Sequence, residues 1–268
     1  MGRNKNRPFL KFHMPALALL LAVFLLPPIC AGSVEVAPAK VGIGAFFGGA
    51  RLTVTGKVPQ GAQAVIEVVG RSAEQDLMRK GRRWDIWMNV GEVDVFGAPR
   101  LYYVLSSSPQ LISTANANLP WGYSALRKEI SFRSDKENLE AGKLFEEFIK
   151  LKESQGLYGV FPDAVTLSSA PSGTESLVHA VISVPTRITP GDYQICLLAV
   201  KGEQSASTSC VPFHVTLVGL PAFLSSLAHS HAVLYGLLAV AIAVMAGFLS
   251  GLLFKRRKIL GSQQKDQC

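Results

Sequence analysis

Residues that bind metals or act as nucleophiles are scarce in this chain. Its 268 residues include 4 cysteines and 5 histidines, and no Cys-x-x-Cys or His-Glu-x-x-His pattern occurs among them. The Gly-x-Ser-x-Gly turn of serine hydrolases and the P-loop of nucleotide-binding proteins are also missing. These absences remove the recognisable zinc-protease, thiol-redox and P-loop classes. We therefore expect a non-enzymatic protein without a metal or a cofactor, and keep an envelope enzyme without a recognisable motif as a third hypothesis.

Excess positive charge is confined to the two ends of the chain. The formal net charge is +8. Of the 27 basic residues, 4 lie in the first 31 positions and 5 follow Phe254, while 1 of the 19 acidic residues lies in that tail. Residues 32–254 therefore balance at 18 basic and 18 acidic residues. A neutral central region argues against a nucleic-acid partner.

Apolar runs next to these charges predict membrane targeting. Residues 1–31 have the basic start, apolar run and small-residue cleavage site of a signal peptide. Residues 232–254 carry no charge, and as a helix they would extend about 34 Å, enough to span a bilayer. A basic tail over 255–268 follows and predicts a cytoplasmic C-terminus; its first residues are Lys255, Arg256, Arg257 and Lys258. The predicted location is the bacterial inner membrane, single-pass, with a periplasmic ectodomain.

Small residues recur at every fourth position of the predicted membrane helix. They are Ala239, Ala243, Gly247 and Gly251, and the last two form a Gly-x-x-x-Gly pair. A stripe of small side chains lets another helix approach closely, so that van der Waals contact can hold the two together. Besides the lipid bilayer, the stripe predicts an integral membrane partner or a self-dimer.

Short apolar runs separated by glycine and proline predict a mainly β ectodomain. The candidate strands are 50–55, 64–69, 84–90, 92–96, 101–105, 164–168, 177–184, 193–200 and 209–218. Their spacing favours an antiparallel sandwich of immunoglobulin type, with one sandwich or two left open. The expected regions are a first β-sandwich region (32–110), a helical insert (111–160), a second β region (161–219) and a juxtamembrane segment (220–231).

One amphipathic helix is predicted within the insert. Ser134 and Glu137 match a capping box, and the segment ends near Gly156. Its apolar side chains lie on one side and are Leu144, Phe145, Phe148, Ile149 and Leu151. We expect this face to pack within its own domain, and packing on a partner is the alternative.

Two cysteines remain outside the cytoplasm in the predicted topology, Cys196 and Cys210. They flank a turn at 201–205, and a hairpin that pairs them also places Tyr193 opposite Phe213. In an oxidising compartment this register predicts a cross-strand disulfide, with two unpaired thiols as the alternative.

A basic segment followed by tryptophans is a possible contact surface. Its basic residues are Arg79, Lys80, Arg82 and Arg83, and we expect them to form a turn that runs into Trp84 and Trp87. Contact with anionic headgroups or an acidic partner is one interpretation. A solvated hairpin tip that protects a strand edge is the other, and it is favoured because charged turns are usually only solvated.

The order and spacing of several segments resemble a family of alphaproteobacterial transmembrane proteins that is named only by its topology. These segments are 84–89 with the basic residues before it, 100–107, 145–158, 182–193 and 223–254. Cys196 and Cys210 depart from the family pattern. The resemblance implies no established activity. It does imply that the protein is a companion of an anion-exporter type permease.

Three functions therefore remain open at the level of sequence. The first is an accessory protein that docks a membrane partner through the small-residue stripe and the basic turn. The second is a periplasmic ligand-binding or sensing module with a pocket between the strands and the inserted helix. A deep pocket with convergent polar groups would favour the second, and the third is the enzyme without a recognisable motif.

Overall fold

The computed structural model describes residues 33–112, 119–134, 140–171, 173–201 and 204–263, with the backbone alone for residues 83, 204–206 and 253–263. The predicted signal peptide (1–31) lies outside the described residues. The strands are β1 (Val34–Ala37), β2 (Lys40–Ile43), β3 (Ala50–Pro59), β4 (Gln63–Gly70), β5 (Gln75–Arg83), β6 (Ile86–Phe96), β7 (Tyr102–Ser106), β8 (Ser131–Ser134), β9 (Tyr158–Phe161), β10 (Val165–Ser169), β11 (Glu175–Val184), β12 (Gly191–Lys201) and β13 (Gln204–Leu217). The helices are α1 (Tyr123–Glu129), α2 (Ala141–Ser154), α3 (Leu220–Ser230) and α4 (Ala232–Gln263), besides a 3-10 turn at Pro109–Leu111.

Two sheets face each other across the main core of the folded domain, residues 33–217. One has the strand order β1-β3-β11-β10 and the other β2-β13-β12-β4-β7-β9. Alternate residues of facing strands fill the space between the sheets, among them Leu52 and Ile182 from the first sheet and Ile66, Ile195 and Phe213 from the second. The chain is therefore mainly β, as the apolar runs predict.

The β12–β13 hairpin has the predicted register. Cys196 lies opposite Cys210, and Tyr193 lies opposite Phe213. Tyr193 and Phe213 are buried in the main core, with ring centroids 5.5 Å apart. Because neighbouring residues of a strand point to opposite faces, this places Cys196 on the outer face of the six-stranded sheet. A disulfide joins the two cysteines there, as predicted.

A third layer covers that outer face. It consists of α1, α2 and a small sheet of order β5-β6-β8, and it shares a second core with the six-stranded sheet. The sheet contributes Val65, Tyr102 and Leu198 to this second core. The covering layer contributes Trp121 and Phe148, among others. The central strand β4 is thus apolar on both faces, as expected of a strand buried on both sides.

The predicted start of the inserted helix is wrong. Ser134 is the last residue of β8 and pairs with Val93 of β6, and the helix begins at Ala141 after residue Glu140. Glu137 lies outside the described residues. The apolar face of the helix is predicted correctly in position: four of its five side chains are buried in the second core, namely Leu144, Phe145, Phe148 and Ile149.

Candidate interaction surface

A hairpin with a two-residue turn, β5–β6, carries the tryptophans that the sequence singles out. Arg83 pairs with Ile86, so only Trp84 and Asp85 connect the strands. Their φ angles are 53° and 64°, and two consecutive positive values in a two-residue loop define a type I′ turn. That turn favours Asn-Gly, because glycine has no Cβ and asparagine tolerates positive φ better than most residues, whereas a bulky side chain is strained there. Trp84 therefore occupies its position at a cost in backbone energy.

The hairpin end exposes large apolar side chains. Trp84 is 95% exposed, Trp87 70% and Ile86 66%. Arg82 Nη2 lies 2.9 Å from Asp85 Oδ1 across the turn, but both side chains face solvent, and such pairs add little stability. A cluster of exposed aromatic and aliphatic side chains beside arginine has the composition of a protein contact site or a membrane-interface site.

The basic residues lie in a strand and not in a turn, which corrects the prediction. Arg79, Lys80, Arg82 and Arg83 all belong to β5, and the strand predicted to start at Trp84 starts at Ile86. Between Arg79 and Lys80 the pairing shifts by one residue, which leaves Val90 without a partner in the strand register. A bulge of this kind bends and twists the outer half of a hairpin relative to its base.

An apolar groove of about 470 Å³ lies between β5 and α2. Its walls are apolar and consist of Leu77, Met78, Val93, Phe132, Leu144, Phe148 and Leu151. Charged side chains also line it, namely Arg79, Lys80 and Glu147. Met78 and Leu151 are 56% and 39% exposed, so the groove opens to solvent.

Lys152 fixes the base of the hairpin to the helix. This lysine is 7% exposed, and its Nζ donates a hydrogen bond to Gln75 Oε1. The ammonium group lies 5.3 Å from the centroid of the Phe148 ring. Burial lowers the pKa of Lys152. The hydrogen bond and the cation–π contact compensate the charge, so the hairpin and α2 form one supported unit.

A polar network attaches the covering layer to the six-stranded sheet. The Tyr102 hydroxyl donates to Glu67 Oε1 at 2.6 Å and accepts a hydrogen bond from the Gly122 N–H at 2.9 Å. Burial raises the pKa of the Glu67 carboxyl, and the hydrogen bond from Tyr102 opposes that shift. The Tyr158 hydroxyl donates to the carbonyl of Pro99 at 2.7 Å. These bonds join β4, β7 and β9 to the loop before α1 and to the loop after β6.

The small-residue stripe lies on α4, in a segment long and apolar enough to cross a membrane, Ala232–Leu252. A Cβ added to Gly247 or Gly251 would have no neighbour within 4 Å. The two glycines therefore face open space in the single chain. The side chains of Lys255, Arg256, Arg257 and Lys258, which follow on the same helix, lie outside the part of the structure that is described.

Among the residues that the structure describes, side chains that can bind metals do not gather into a site. Within the described residues no group of three or more His, Cys, Asp or Glu side chains is placed to hold an ion. His229 Nδ1 donates to the carbonyl of Ser225 at 2.7 Å within α3.

A family model described as "Putative transmembrane protein (Alph_Pro_TM)" matches residues 33–256. The chain belongs to this family. The name implies an alphaproteobacterial origin, and the candidate membrane helix lies inside the matched region. No curated protein matches the chain.

The groove lies between a strand and the inserted helix, where the ligand-binding hypothesis expects a pocket, but most of its lining residues are not predicted by the sequence. Leu77 and Met78 are flanked by charged residues in β5, and Phe132 lies in a four-residue strand. Leu151 is the residue that could have indicated the groove. It continues the apolar face of α2, but the core leaves it 39% exposed.

Proposed function

We propose that this protein is a non-enzymatic accessory subunit of a membrane transport complex. In this proposal it is a single-pass protein of the bacterial inner membrane with a periplasmic ectodomain. The observation that carries the proposal is the hairpin tip, where Trp84 is 95% exposed at positive φ. Strained backbone and exposed aromatic side chains both reduce stability, and they persist where a binding site requires them.

The ectodomain is proposed to be one immunoglobulin-like sandwich with insertions. The order β1-β3-β11-β10 and the first five strands of the six-stranded sheet, β2-β13-β12-β4-β7, support this, because they correspond to the two sheets of a variable-type domain. The sixth strand, β9, pairs parallel with β7 and is an addition to that pattern. The parallel pairing of β2 with β13 agrees with a first strand that switches sheets. The β5–β6 hairpin is then an insertion between two neighbouring strands, and α1, β8 and α2 form a second insertion after β7.

Recognition is proposed to begin at the hairpin. Tryptophan and arginine dominate the binding energy of many protein interfaces because they bury large areas and form several contacts. Trp84, Trp87 and Arg82 are all exposed at one end of the hairpin. Lys152 holds the base of the hairpin on α2. The hairpin therefore has less conformational freedom to lose when it binds a partner.

Contact inside the membrane is proposed to complete the interface. Gly247 and Gly251 leave one side of α4 without bulky side chains and without a neighbour in the single chain. Such a surface suits close packing with a helix of an integral membrane protein. The family resemblance makes an anion-exporter type permease the proposed partner, and the basic residues after the span support a cytoplasmic tail.

A second candidate function is favoured by the groove. Its volume of about 470 Å³ falls in the range of small-molecule sites. Apolar walls with charged side chains beside them suit an amphipathic ligand, such as one lipid chain with a polar end, better than a polar metabolite. In that case the protein is a periplasmic ligand-binding or sensing module.

Affinity purification in mild detergent, followed by mass spectrometry, tests the proposal. Trp84→Asn with Asp85→Gly installs the preferred turn sequence, so the variant should be at least as stable as wild type and should lose the partner. Gly247→Leu with Gly251→Leu should also lose it. Ala241→Leu is the control, because position 241 lies off the stripe: it is rotated by about 160° from Ala239 and Ala243 and by about 80 to 120° from Gly247 and Gly251.

The outcomes separate the candidates. A multi-span protein that co-purifies with wild type and the control, and is lost from both test variants, supports the accessory function. Recovery of the chain alone as a dimer that the Gly247→Leu, Gly251→Leu variant abolishes would support self-association. A co-purified lipid or small molecule that is lost from a Leu77→Asp variant, with no protein partner, would support the ligand-binding function.

A further inference from the structure

The end of the folded domain that faces the membrane can be identified from strand direction. β13 ends at Leu217 and the candidate membrane span begins at Ala232, so residues 218–231 connect them. β2 runs parallel to β13 and ends with Ile43 beside Leu217. The loop at 44–49, which joins β2 to β3, therefore lies at this membrane-proximal end.

That loop presents an aromatic side chain with no cover. Phe46 is fully exposed, at 101% of its reference area. The Val218 N–H donates to the carbonyl of Ile43 at 3.0 Å, and a Cβ on Gly44 would lie 3.9 Å from the Val218 side chain. Phe46 thus lies close to the point where the chain leaves the domain towards the membrane.

The helix α3 adds apolar surface at the same end. Gly219, with φ of 65°, turns the chain from β13 into α3. Leu220, Phe223 and Leu224 are spaced so that they share one side of α3, and they are 61%, 59% and 38% exposed. α3 contains no lysine, arginine, aspartate or glutamate. Only His231 separates it from α4.

Positive charge lies at the same end of the domain as this apolar surface. Arg51, Arg100 and Arg187 lie at the strand ends and loops of the membrane-proximal end and are exposed. Of the acidic residues in these loops, Asp192 is bound by Arg71 at 3.2 Å and by His214 at 2.8 Å. Glu74 is exposed in the loop before β5. Exposed arginines beside aromatic and aliphatic side chains suit the headgroup region of an anionic bilayer.

We propose that the membrane-proximal end of the folded domain rests on the bilayer leaflet on its own side, with Phe46 and the apolar side of α3 at the boundary between headgroups and acyl chains. Arg51, Arg100 and Arg187 contact lipid phosphates around them. The bilayer then holds the domain in one orientation instead of leaving it on a flexible tether. This inference does not depend on the proposed partner.

Fluorescence quenching in reconstituted vesicles tests this orientation. The full-length chain is inserted into vesicles of phosphatidylethanolamine and phosphatidylglycerol that contain lipids brominated near the top of the acyl chain. One variant carries Phe46→Trp. The matched control carries Gln60→Trp, an exposed turn position at the other end of β3, about 33 Å along the strand. The parent chain gives the contribution of the native tryptophans.

We expect brominated lipid to reduce the fluorescence of the added tryptophan at position 46 about twofold or more, as for a side chain at the headgroup–acyl boundary. The fluorescence of the tryptophan added at position 60 should be unchanged. Equal quenching at both positions, or none at position 46, would overturn the proposal. Replacing the three arginines by glutamine in the Phe46→Trp chain should weaken the quenching in anionic vesicles. Unchanged quenching there would overturn the phosphate contacts. A spin label at position 46, read by its accessibility to oxygen, gives a second measurement if the tryptophan variant does not fold.

Discussion

Removal of the disulfide should lower the stability of the folded domain by a predictable amount. Cys196 and Cys210 are separated by 14 positions, so the bond closes a loop of about 15 residues. In the chain-entropy model such a loop contributes about 3 kcal/mol, because the cross-link restricts the unfolded chain. The native hairpin keeps its register without the bond, since Tyr193 and Phe213 pack together in the main core.

A second contribution comes from the side chains themselves. Cys196 is half-buried against the second core, while Cys210 is exposed. Truncation of both to alanine removes a small apolar contact at position 196 and almost nothing at position 210. We expect this term to be about 1 kcal/mol or less, well below the effect of the cross-link.

Guanidinium unfolding of the full-length protein in mild detergent separates the two terms. Trp121, which is 3% exposed, reports the loss of the second core by fluorescence. Oxidised and reduced wild type differ only in the cross-link, and reduced wild type and the double alanine variant differ only in packing. A difference below about 1 kcal/mol between oxidised and reduced protein would refute the reasoning, because the loop term alone is about 3 kcal/mol.

Two further predictions concern backbone and pH. Gly97→Ala should destabilise the protein far more than Gly61→Ala in thermal unfolding. Both glycines have φ near 77°, so the backbone strain is similar. A Cβ at Gly97 would lie 2.4 Å from the Glu129 carbonyl oxygen, whereas a Cβ at Gly61 would have no neighbour within 4 Å. Similar losses would contradict the close approach of this turn to the end of α1. Burial raises the pKa of Glu67, so its contribution to stability is present below about pH 4.5 and is lost as pH rises through the folded-state pKa. Glu67→Gln keeps an acceptor for Tyr102 and should flatten the fall of unfolding free energy towards pH 8; an unchanged slope would contradict the assignment.

The register of β12 and β13 could be predicted because two independent patterns agree there. Apolar alternation and the positions of Cys196 and Cys210 select the same pairing. The start of α2 could not be predicted in the same way. Ser134 satisfies a local capping pattern, but its strand pairs with β6, and this long-range pairing takes precedence over the local signal.

The hairpin is predictable only in part, for a physical reason. Arg79–Arg83 is rich in charge, which is typical of turns, but charged residues are also common in strands at the edge of a sheet. The turn itself falls on Trp84 and Asp85; aspartate tolerates positive φ, but tryptophan has a low preference for it. A site that violates local rules is difficult to locate from those rules, and such sites often serve function.

The most direct test of the account is site-specific photo-crosslinking in native membranes. A photoreactive phenylalanine derivative replaces Trp84 at the hairpin tip or, as the control, Gln60 at an exposed turn after β3. The account predicts a cross-linked product with one integral membrane protein from position 84, absent from position 60 and lost when Gly247 and Gly251 are both leucine. No product from position 84, or the same products from both positions, would contradict the proposal that the hairpin docks a membrane partner.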